Sequence, residues 1–288
     1  MRACLPDVVD TVRRDGVRIR YERYGQGSPA IVLLPTWSVV NSRHWKMQVP
    51  YLSRHFTVVT FDGRGSGGSD RPAEADAYSD VEFAWDALAV MDAAGVETAV
   101  LVSVSCGALW ALRLCVEHPD RVLGSVFVAP TAPLVPRLPE RRVQRFHKVF
   151  DAPVGWQKYN SHYWRTDYPD FVDFFIHRIF TEPHSTKPIE DAIGWALEVD
   201  GATLEAADLG LKDCSAATTR RLATRVTCPV LVVSGTQDAV RGYPEGAALA
   251  DCTGAALATF EGAGHFPHLR DPVRVNVLIR QFADRVGR

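Results

Sequence analysis

The chain lacks an apolar run long enough to cross a membrane, and its first residues lack the apolar stretch of a secretion signal. It also lacks a long basic block, because its 32 Lys and Arg are interspersed with 34 Asp and Glu. Such a balanced charge does not favour nucleic acid or an acidic membrane surface as a partner. We therefore expect a cytoplasmic protein, and nothing in the sequence decides between a monomer and a homodimer.

Cysteines are few and share no regular spacing. None belongs to a Cys-x-x-Cys pair, so neither a disulfide framework nor a zinc site is predicted, and reduced thiols are expected. The cysteines are Cys4, Cys106, Cys115, Cys214, Cys228 and Cys252.

Short apolar runs alternate with helical patterns along most of the chain. An antiparallel hairpin is predicted over residues 8–24, where Asp15-Gly16 favours a two-residue turn. A capping box formed by Ser79 and Glu82 begins a predicted helix that ends near Gly95. This alternation predicts a parallel sheet covered on both faces. The apolar runs typical of buried strands span 30–34, 56–61, 99–102, 125–129, 230–234 and 255–260.

The segment 131–227 departs from this alternation. It contains helical stretches and many aromatic residues, but no clear central strand. The strand pattern resumes at Cys228-Pro229, so the sheet continues after an insertion. We predict one core formed by residues 1–130 and 228–288, and a helical cap formed by residues 131–227.

A small-x-Ser-x-small turn stands between the apolar run 99–102 and a helical pattern. Its serine is Ser105, and the small residues two positions away are Ser103 and Gly107. This pattern is typical of a nucleophile elbow, in which a strained turn exposes the serine hydroxyl. We predict that Ser105 is a nucleophile. The neighbouring Cys106 is predicted to be a packing residue whose backbone N–H faces the substrate.

A serine hydroxyl needs a base within hydrogen-bond reach and a third group that orients the base. His265 follows the last predicted strand, and Asp238 follows the strand before it. Because the carboxyl ends of parallel strands meet at one edge of a sheet, both side chains can reach Ser105. Asp213 and Glu245 remain alternative candidates for the acid.

These motifs resemble those of the α/β-hydrolases. The similarity rests on the turn 61–70, the elbow at Ser105, the segment 235–238 and the segment 262–268, and it leaves only the cap unmatched. It is greatest to the capped serine esterase, epoxide hydrolase and haloperoxidase-like branches. Epoxide hydrolases and dehalogenases carry a carboxylate at the elbow, whereas this chain carries a serine. The resemblance implies a mostly parallel eight-stranded sheet flanked by helices, with a helical cap inserted after the sixth strand.

The resemblance also implies roles for individual residues. Ser105 would be the nucleophile, His265 the general base and then acid, and Asp238 the group that orients His265. The backbone N–H groups of Trp37 and Cys106 would form an oxyanion hole. The chain departs from its relatives at Pro35-Thr36, where His-Gly is usual, and at Ser103, where glycine is usual.

Other sequence features have structural explanations. The glycine-rich loop 62–70 lacks the Lys and Ser/Thr ending of a nucleotide-binding loop. Asp62 and Arg64 in that loop are predicted to be architectural. A metal pair of His265 and His268 is not favoured, because Pro267 prevents helical His-x-x-His geometry. His268 is therefore predicted to be structural, and no cofactor or metal site is predicted.

We expect aromatic residues to line the substrate pocket, and the candidates are Trp37, Trp110, Trp156, Tyr159 and Trp164. The resulting hypothesis is a serine hydrolase that cleaves a carboxylic ester, lactone or thioester of a small apolar or aromatic molecule through an acyl-enzyme. Acyl transfer, carbon–carbon bond hydrolysis and cyclisation with the same residues are the alternatives. A third hypothesis is a protein of the same fold that binds a ligand without catalysing a reaction.

Overall fold

The computed structural model describes residues 4–211 and 215–287. Two residues discussed above, Asp213 and Cys214, lie outside these ranges. In the described part, eight strands form one sheet in the order β1-β2-β4-β3-β5-β6-β7-β8. The strands are β1 (Val8–Arg14), β2 (Val17–Tyr24), β3 (Ala30–Leu33), β4 (Thr57–Phe61), β5 (Ala99–Val104), β6 (Val122–Val128), β7 (Val230–Gly235) and β8 (Ala256–Phe260).

The sheet is antiparallel at one end and parallel elsewhere. β1 and β2 form the predicted hairpin, whose turn residues Asp15 and Gly16 both have positive φ angles, of 49° and 83°. Positive φ at both turn positions matches the right-handed twist of the paired strands. β2 is antiparallel to β4, and the pairs from β4 through β8 are parallel. The carboxyl ends of β3 to β8 therefore lie along the same edge.

Helices cover both faces of the sheet. None of the helices in the described ranges is long and apolar enough to span a membrane. The helices are α1 (Val49–Leu52), α2 (Asp80–Ala93), α3 (Gly107–Glu117), α4 (Ser161–Thr166), α5 (Tyr168–Ile179), α6 (Thr186–Ala196), α7 (Gly201–Gly210), α8 (Ala216–Ala223), α9 (Tyr243–Thr253), α10 (Pro267–Arg270) and α11 (Pro272–Val286).

The central strand β5 shows why the core has two sides. All six of its residues are buried, and successive side chains point to opposite faces of the sheet. Val100 and Val102 pack in the hydrophobic cluster that includes Ile279 of α11, whereas Ala99 and Leu101 pack in the cluster that includes Leu112 of α3. A continuous apolar run is therefore required here, rather than an alternating one.

Helices α4 to α7 stand between β6 and β7, in the region predicted to be the cap. The predicted cap, residues 131–227, also includes α8. Helix α8 packs against α3 and α9, and its Leu222 and Ala223 are buried in a hydrophobic cluster with residues of α3. The sequence pattern does not separate the two roles, because a helix that covers a sheet and a cap helix have the same periodicity.

The loop after β4 is held by buried polar contacts. Asp62 accepts hydrogen bonds from the Ser42 hydroxyl at 2.7 Å and from the Gly68 N–H at 2.9 Å. Arg64 is 2% exposed and forms a two-point contact with Asp86, at 2.5 and 2.9 Å. Both side chains thus act within the framework, in agreement with the architectural interpretation.

We expect Arg64→Met to destabilise the fold strongly. The substitution leaves the buried Asp86 carboxylate with less compensation, and removing one partner of a buried pair costs on the order of 3 kcal/mol. Urea unfolding measures the change. The matched control is Arg18→Met, because Arg18 is 49% exposed and pairs with Asp70 at 3.1 Å. A surface pair contributes less than about 1 kcal/mol. Equal losses in the two variants would contradict the framework role.

Candidate active site

Ser105 occupies a strained turn between β5 and α3. Its φ angle is +52°, a conformation that non-glycine residues rarely adopt. Hydrogen bonds on both sides hold the turn: the Ser105 N–H donates to the Val128 carbonyl at 3.1 Å, and the Thr131 N–H donates to the Ser105 carbonyl at 2.9 Å. A Cβ atom at Gly107 would lie 2.6 Å from the Pro35 carbonyl oxygen, so only glycine fits there. This is the geometry expected of a nucleophile elbow.

The structure brings Ser105, His265 and Asp238 together in one chain of hydrogen bonds. The Ser105 Oγ atom lies 2.9 Å from His265 Nε2, and His265 Nδ1 lies 2.8 Å from Asp238 Oδ2. All three side chains are more than nine-tenths buried. Each residue follows a different strand, β5, β7 or β8, at the same edge of the sheet.

The environment of Asp238 favours its ionised form. Burial by itself raises its pKa, but the adjacent His265 and the backbone N–H groups of Arg241 and Val240 outweigh burial, so the pKa is lowered. Those N–H groups donate to Asp238 Oδ1 at 2.9 and 2.8 Å. An ionised Asp238 accepts a hydrogen bond from the Nδ1–H of His265, which leaves Nε2 free to accept the Ser105 proton.

The alternative acid Glu245 has other partners. Its carboxylate accepts a hydrogen bond from the Ala132 N–H at 2.9 Å and pairs with Arg241 at 3.0 Å. Asp213 lies outside the described residues. Asp238 is therefore the carboxylate that the described structure places on His265.

Trp37 and Cys106 line the same cavity as Ser105. Among the described residues, neither backbone N–H donates a hydrogen bond to another protein group. Both donors are thus available to an oxyanion. The Cys106 thiol contacts the Thr131 hydroxyl, with 3.7 Å between sulfur and oxygen, and burial raises its pKa. A raised pKa keeps this thiol protonated and makes it a poor nucleophile.

The cavity over Ser105 has a volume of about 310 Å³ and is closed on one side by the segment between β6 and β7. One wall is aromatic: the rings of Trp37 and Tyr159 stack with centroids 5.6 Å apart. Trp156 and Trp164 pack against Tyr159, and Trp164 also packs against Trp37, but neither lines the cavity. They support the wall rather than form its surface.

The prediction that Trp110 lines the substrate pocket is wrong. It does not line the cavity but stacks on Phe83, with 4.1 Å between ring centroids, in the core on the α2 side of the sheet. Leu109, the residue before Trp110 in α3, lines the cavity instead. Trp110 is one position further, which rotates its side chain away.

Several cavity residues were not predicted from the sequence. Thr131 follows β6 at the same edge of the sheet as Ser105, and its hydroxyl lies 3.4 Å from Ser105 Oγ. Its position after a predicted strand could have identified it. The cavity also contains polar residues from the inserted segment and from the loop after β7, for which no motif gave a signal: Arg137, Arg141, Gln144, Asp208 and Arg241.

His268 does not share a site with His265. Its Nε2 atom lies 3.3 Å from Nδ1 of His44, and both rings are fully buried. Burial lowers the pKa of His44 to about 3 and that of His268 well below its ordinary value. In the described ranges, no group of three or more His, Cys, Asp or Glu is arranged to hold a metal ion.

Comparison with known proteins agrees with this geometry. The family model described as the alpha/beta hydrolase fold matches residues 29–272. Among curated proteins, epoxide hydrolase A of Mycobacterium tuberculosis is 31% identical over 144 residues, which cover 50% of this chain and 43% of that enzyme. The 3-oxoadipate enol-lactonase 2 of Acinetobacter baylyi is 24% identical over 285 residues, which cover 96% of this chain and 97% of that enzyme.

A solved structure is similar over nearly the whole chain. Est816, described as an N-acyl homoserine lactone degrading enzyme, is 27% identical and superposes with a TM-score of 0.78. The superposition covers 95% of this chain and 100% of Est816.

Asp208 should make stability depend on pH. Burial raises its pKa to about 6 from an ordinary 3.8, although Tyr159, Arg141, Arg137 and His147 act in the opposite direction. A carboxyl with a raised folded pKa contributes stability at low pH that is lost as the pH rises through about 6. We expect Asp208→Asn, whose amide does not ionise, to gain stability relative to the native chain between pH 4 and pH 7, measured by urea unfolding.

The control is Asp170→Asn. Asp170 also accepts a tyrosine hydroxyl, that of Tyr163 at 2.6 Å, but its pKa is lowered by hydrogen bonds from Lys158 and Tyr163. A lowered folded pKa contributes stability above the ordinary value that is lost in acid, so this variant should lose stability relative to the native chain over the same range. If both variants gained stability relative to the native chain between pH 4 and pH 7, or both lost it, the raised pKa of Asp208 would be contradicted.

Proposed function

Because the chain belongs to the alpha/beta hydrolase fold family, we propose that it is a serine hydrolase that cleaves a carboxylic ester, lactone or thioester through an acyl-enzyme. The observation that carries the proposal is the pair of hydrogen bonds, 2.9 and 2.8 Å long, that join Ser105 to His265 and His265 to Asp238. Hydrogen bonds of this length in this order support the activation of a serine hydroxyl by a histidine. A metal or a cofactor is not needed for this chemistry.

The names of two relatives support the choice of bond. The Acinetobacter protein is named an enol-lactonase, and Est816 is described as degrading a lactone. Both are similar to this chain along almost its whole length. The epoxide hydrolase match covers less than half of that enzyme, and a serine stands at the elbow here. An ester or lactone is therefore favoured over an epoxide.

In the proposed acylation step, Ser105 Oγ attacks the carbonyl carbon and its proton passes to His265 Nε2. Negative charge moves to the carbonyl oxygen, where the N–H groups of Trp37 and Cys106 donate to it. The intermediate then collapses, the bond to the alcohol or thiol breaks, and the leaving group takes the proton from His265. The acyl group remains as an ester of Ser105.

Deacylation repeats these steps with water. His265 removes a proton from the water as its oxygen attacks the acyl carbon, and the same N–H donors stabilise the second intermediate. Collapse releases the free acid and returns the proton to Ser105. Throughout, the ionised Asp238 stabilises the protonated form of His265, because its carboxylate lies 2.8 Å from Nδ1.

The test is a labelling experiment with a fluorophosphonate, read by intact mass, together with turnover of p-nitrophenyl esters. Native protein should gain one adduct, and Ser105→Ala should gain none and lose at least about 10⁴-fold in kcat. Ser103→Ala is the matched control, because Ser103 is a buried serine of the same turn outside the cavity. It should keep labelling and turnover within about threefold.

Product analysis with added alcohols and amines separates hydrolysis from acyl transfer. Free acid as the only product supports hydrolysis. Native protein that binds small esters yet neither labels nor turns over any of them would favour a binding role and overturn the proposal.

A further inference from the structure

Two arginines in the cavity over Ser105 form no direct ion pair. Arg137 and Arg141 both line the cavity, and within the described ranges they act on the Asp208 carboxylate only at a distance beyond 4.0 Å. The third arginine of the cavity, Arg241, is paired with Glu245 at 3.0 Å. Asp208 is the remaining carboxylate, and it accepts a hydrogen bond from the Tyr159 hydroxyl. The cavity therefore carries one more positive charge than negative when all five groups are ionised.

Arg141 is an unusual arginine because it is only 7% exposed. Its guanidinium lies over the Trp156 ring, 4.6 Å from the centroid, and its Nη1 donates to the Val240 carbonyl at 2.6 Å. Its Nε atom is buried and has no partner. Asp208 and Glu245 offset part of the cost of burying this charge, but neither forms a direct ion pair with Arg141, so its guanidinium keeps the capacity to bind an anion.

The polar atoms around the cavity that have no hydrogen-bond partner are all donors. Among the described side chains, three buried atoms without a hydrogen-bond partner belong to cavity-lining residues: Nε of Arg141, Nε1 of Trp37 and Nε2 of Gln144. Arg and Trp side chains carry donors and no acceptor. A ligand that supplies acceptor oxygens would satisfy these groups, and an anionic one would also balance the charge.

The position of Arg141 relates it to the reacting atoms. The Val240 carbonyl that accepts its hydrogen bond lies in the turn whose N–H groups hold Asp238. Ser105 and Arg141 both line the same cavity of about 310 Å³, so one small molecule can contact both. A guanidinium fork matches a planar carboxylate by two parallel hydrogen bonds. The net charge of the lining fits a monoanion.

Resting on the proposed function, we infer that the substrate is an ester or lactone that also carries a carboxylate, and that Arg141 binds this carboxylate while Arg137 attracts it to the cavity. Arg141 is then the specificity-determining residue of the site. The aromatic wall of Trp37 and Tyr159 contacts the apolar part of the substrate between the two polar ends.

The test compares isosteric substrate pairs. Mono-p-nitrophenyl adipate carries a carboxylate on the acyl side, and p-nitrophenyl 6-methylheptanoate replaces its two oxygens by methyl groups. The pair 4-carboxyphenyl butyrate and 4-isopropylphenyl butyrate makes the same change on the alcohol side. Native protein should prefer the anionic member of at least one pair by about 10- to 100-fold in kcat/KM, mainly through KM, and added salt should weaken the preference.

Arg141→Met should abolish that preference, because kcat/KM should fall at least about tenfold further for the anionic member of the pair than for its neutral isostere. Arg141→Lys keeps a charge but loses the fork, so it should restore part of the preference. Arg142→Met is the matched control, because Arg142 is the next residue, is exposed and does not line the cavity. It should behave like native protein. Arg137→Met should lower the preference severalfold.

The outcomes separate this inference from the proposed function. Turnover of neutral esters with no preference for the anionic member of either pair overturns the role of Arg141 and leaves the hydrolase intact. Equal losses for neutral and anionic esters in Arg141→Met and in Arg141→Lys also overturn it, because they indicate a structural role alone. If Arg141→Met does not fold, Arg141→Lys and the salt dependence of native protein decide. Absence of turnover and of fluorophosphonate labelling overturns the proposed function instead.

Discussion

The active site depends on backbone segments that approach one another more closely than side chains would allow. Ser105 keeps its positive φ angle because β5 enters the turn, α3 leaves it, and the loop after β3 presses against Gly107. Gly235 has the same function at the end of β7, where a Cβ atom would lie 2.3 Å from the Ala263 carbonyl oxygen. That contact fixes the loop of His265 against the loop of Asp238. The geometry of the three side chains is therefore set by backbone packing.

Strain of this kind persists only where the surroundings are rigid. The central strand β5 is completely buried and pairs with β3 and β6, so it cannot move without breaking two ladders. The framework contacts of Asp62 and Arg64 add rigidity to the adjacent loop. Hydrophobic packing on both sides of the sheet thus supplies the free energy that holds Ser105 in place.

The sequence was sufficient for the core of the fold and for the residues that follow its strands. Apolar runs gave the strands because buried parallel strands admit few other residues, and Ser105, Asp238 and His265 stood out because each follows such a run. The inserted segment was harder. Its helices have similar periodicity whether they cap the site or cover the sheet, so the sequence does not show that α8 packs against α3 and α9.

The polar residues of the cavity could not be predicted from the sequence, for a different reason. Arg141 and Asp208 are 67 positions apart in sequence and acquire meaning only when folding places them in one cavity. Their sequence neighbourhoods resemble any charged surface segment. Trp110 shows the converse, because an aromatic residue close to Ser105 in sequence is turned away by a single step along the helix. Proximity in the chain was a poor guide wherever side-chain direction mattered.

The peptide group between Val240 and Arg241 links two regions of the site electrically. Its carbonyl oxygen accepts a hydrogen bond from Arg141, and its N–H donates to Asp238. A cation at the oxygen polarises the amide and strengthens the donor at its other end. The charge of Arg141 thereby reaches Asp238 through one amide dipole. A substitution at Arg141 is therefore expected to change the proposed substrate contact and the hydrogen bond to Asp238 together.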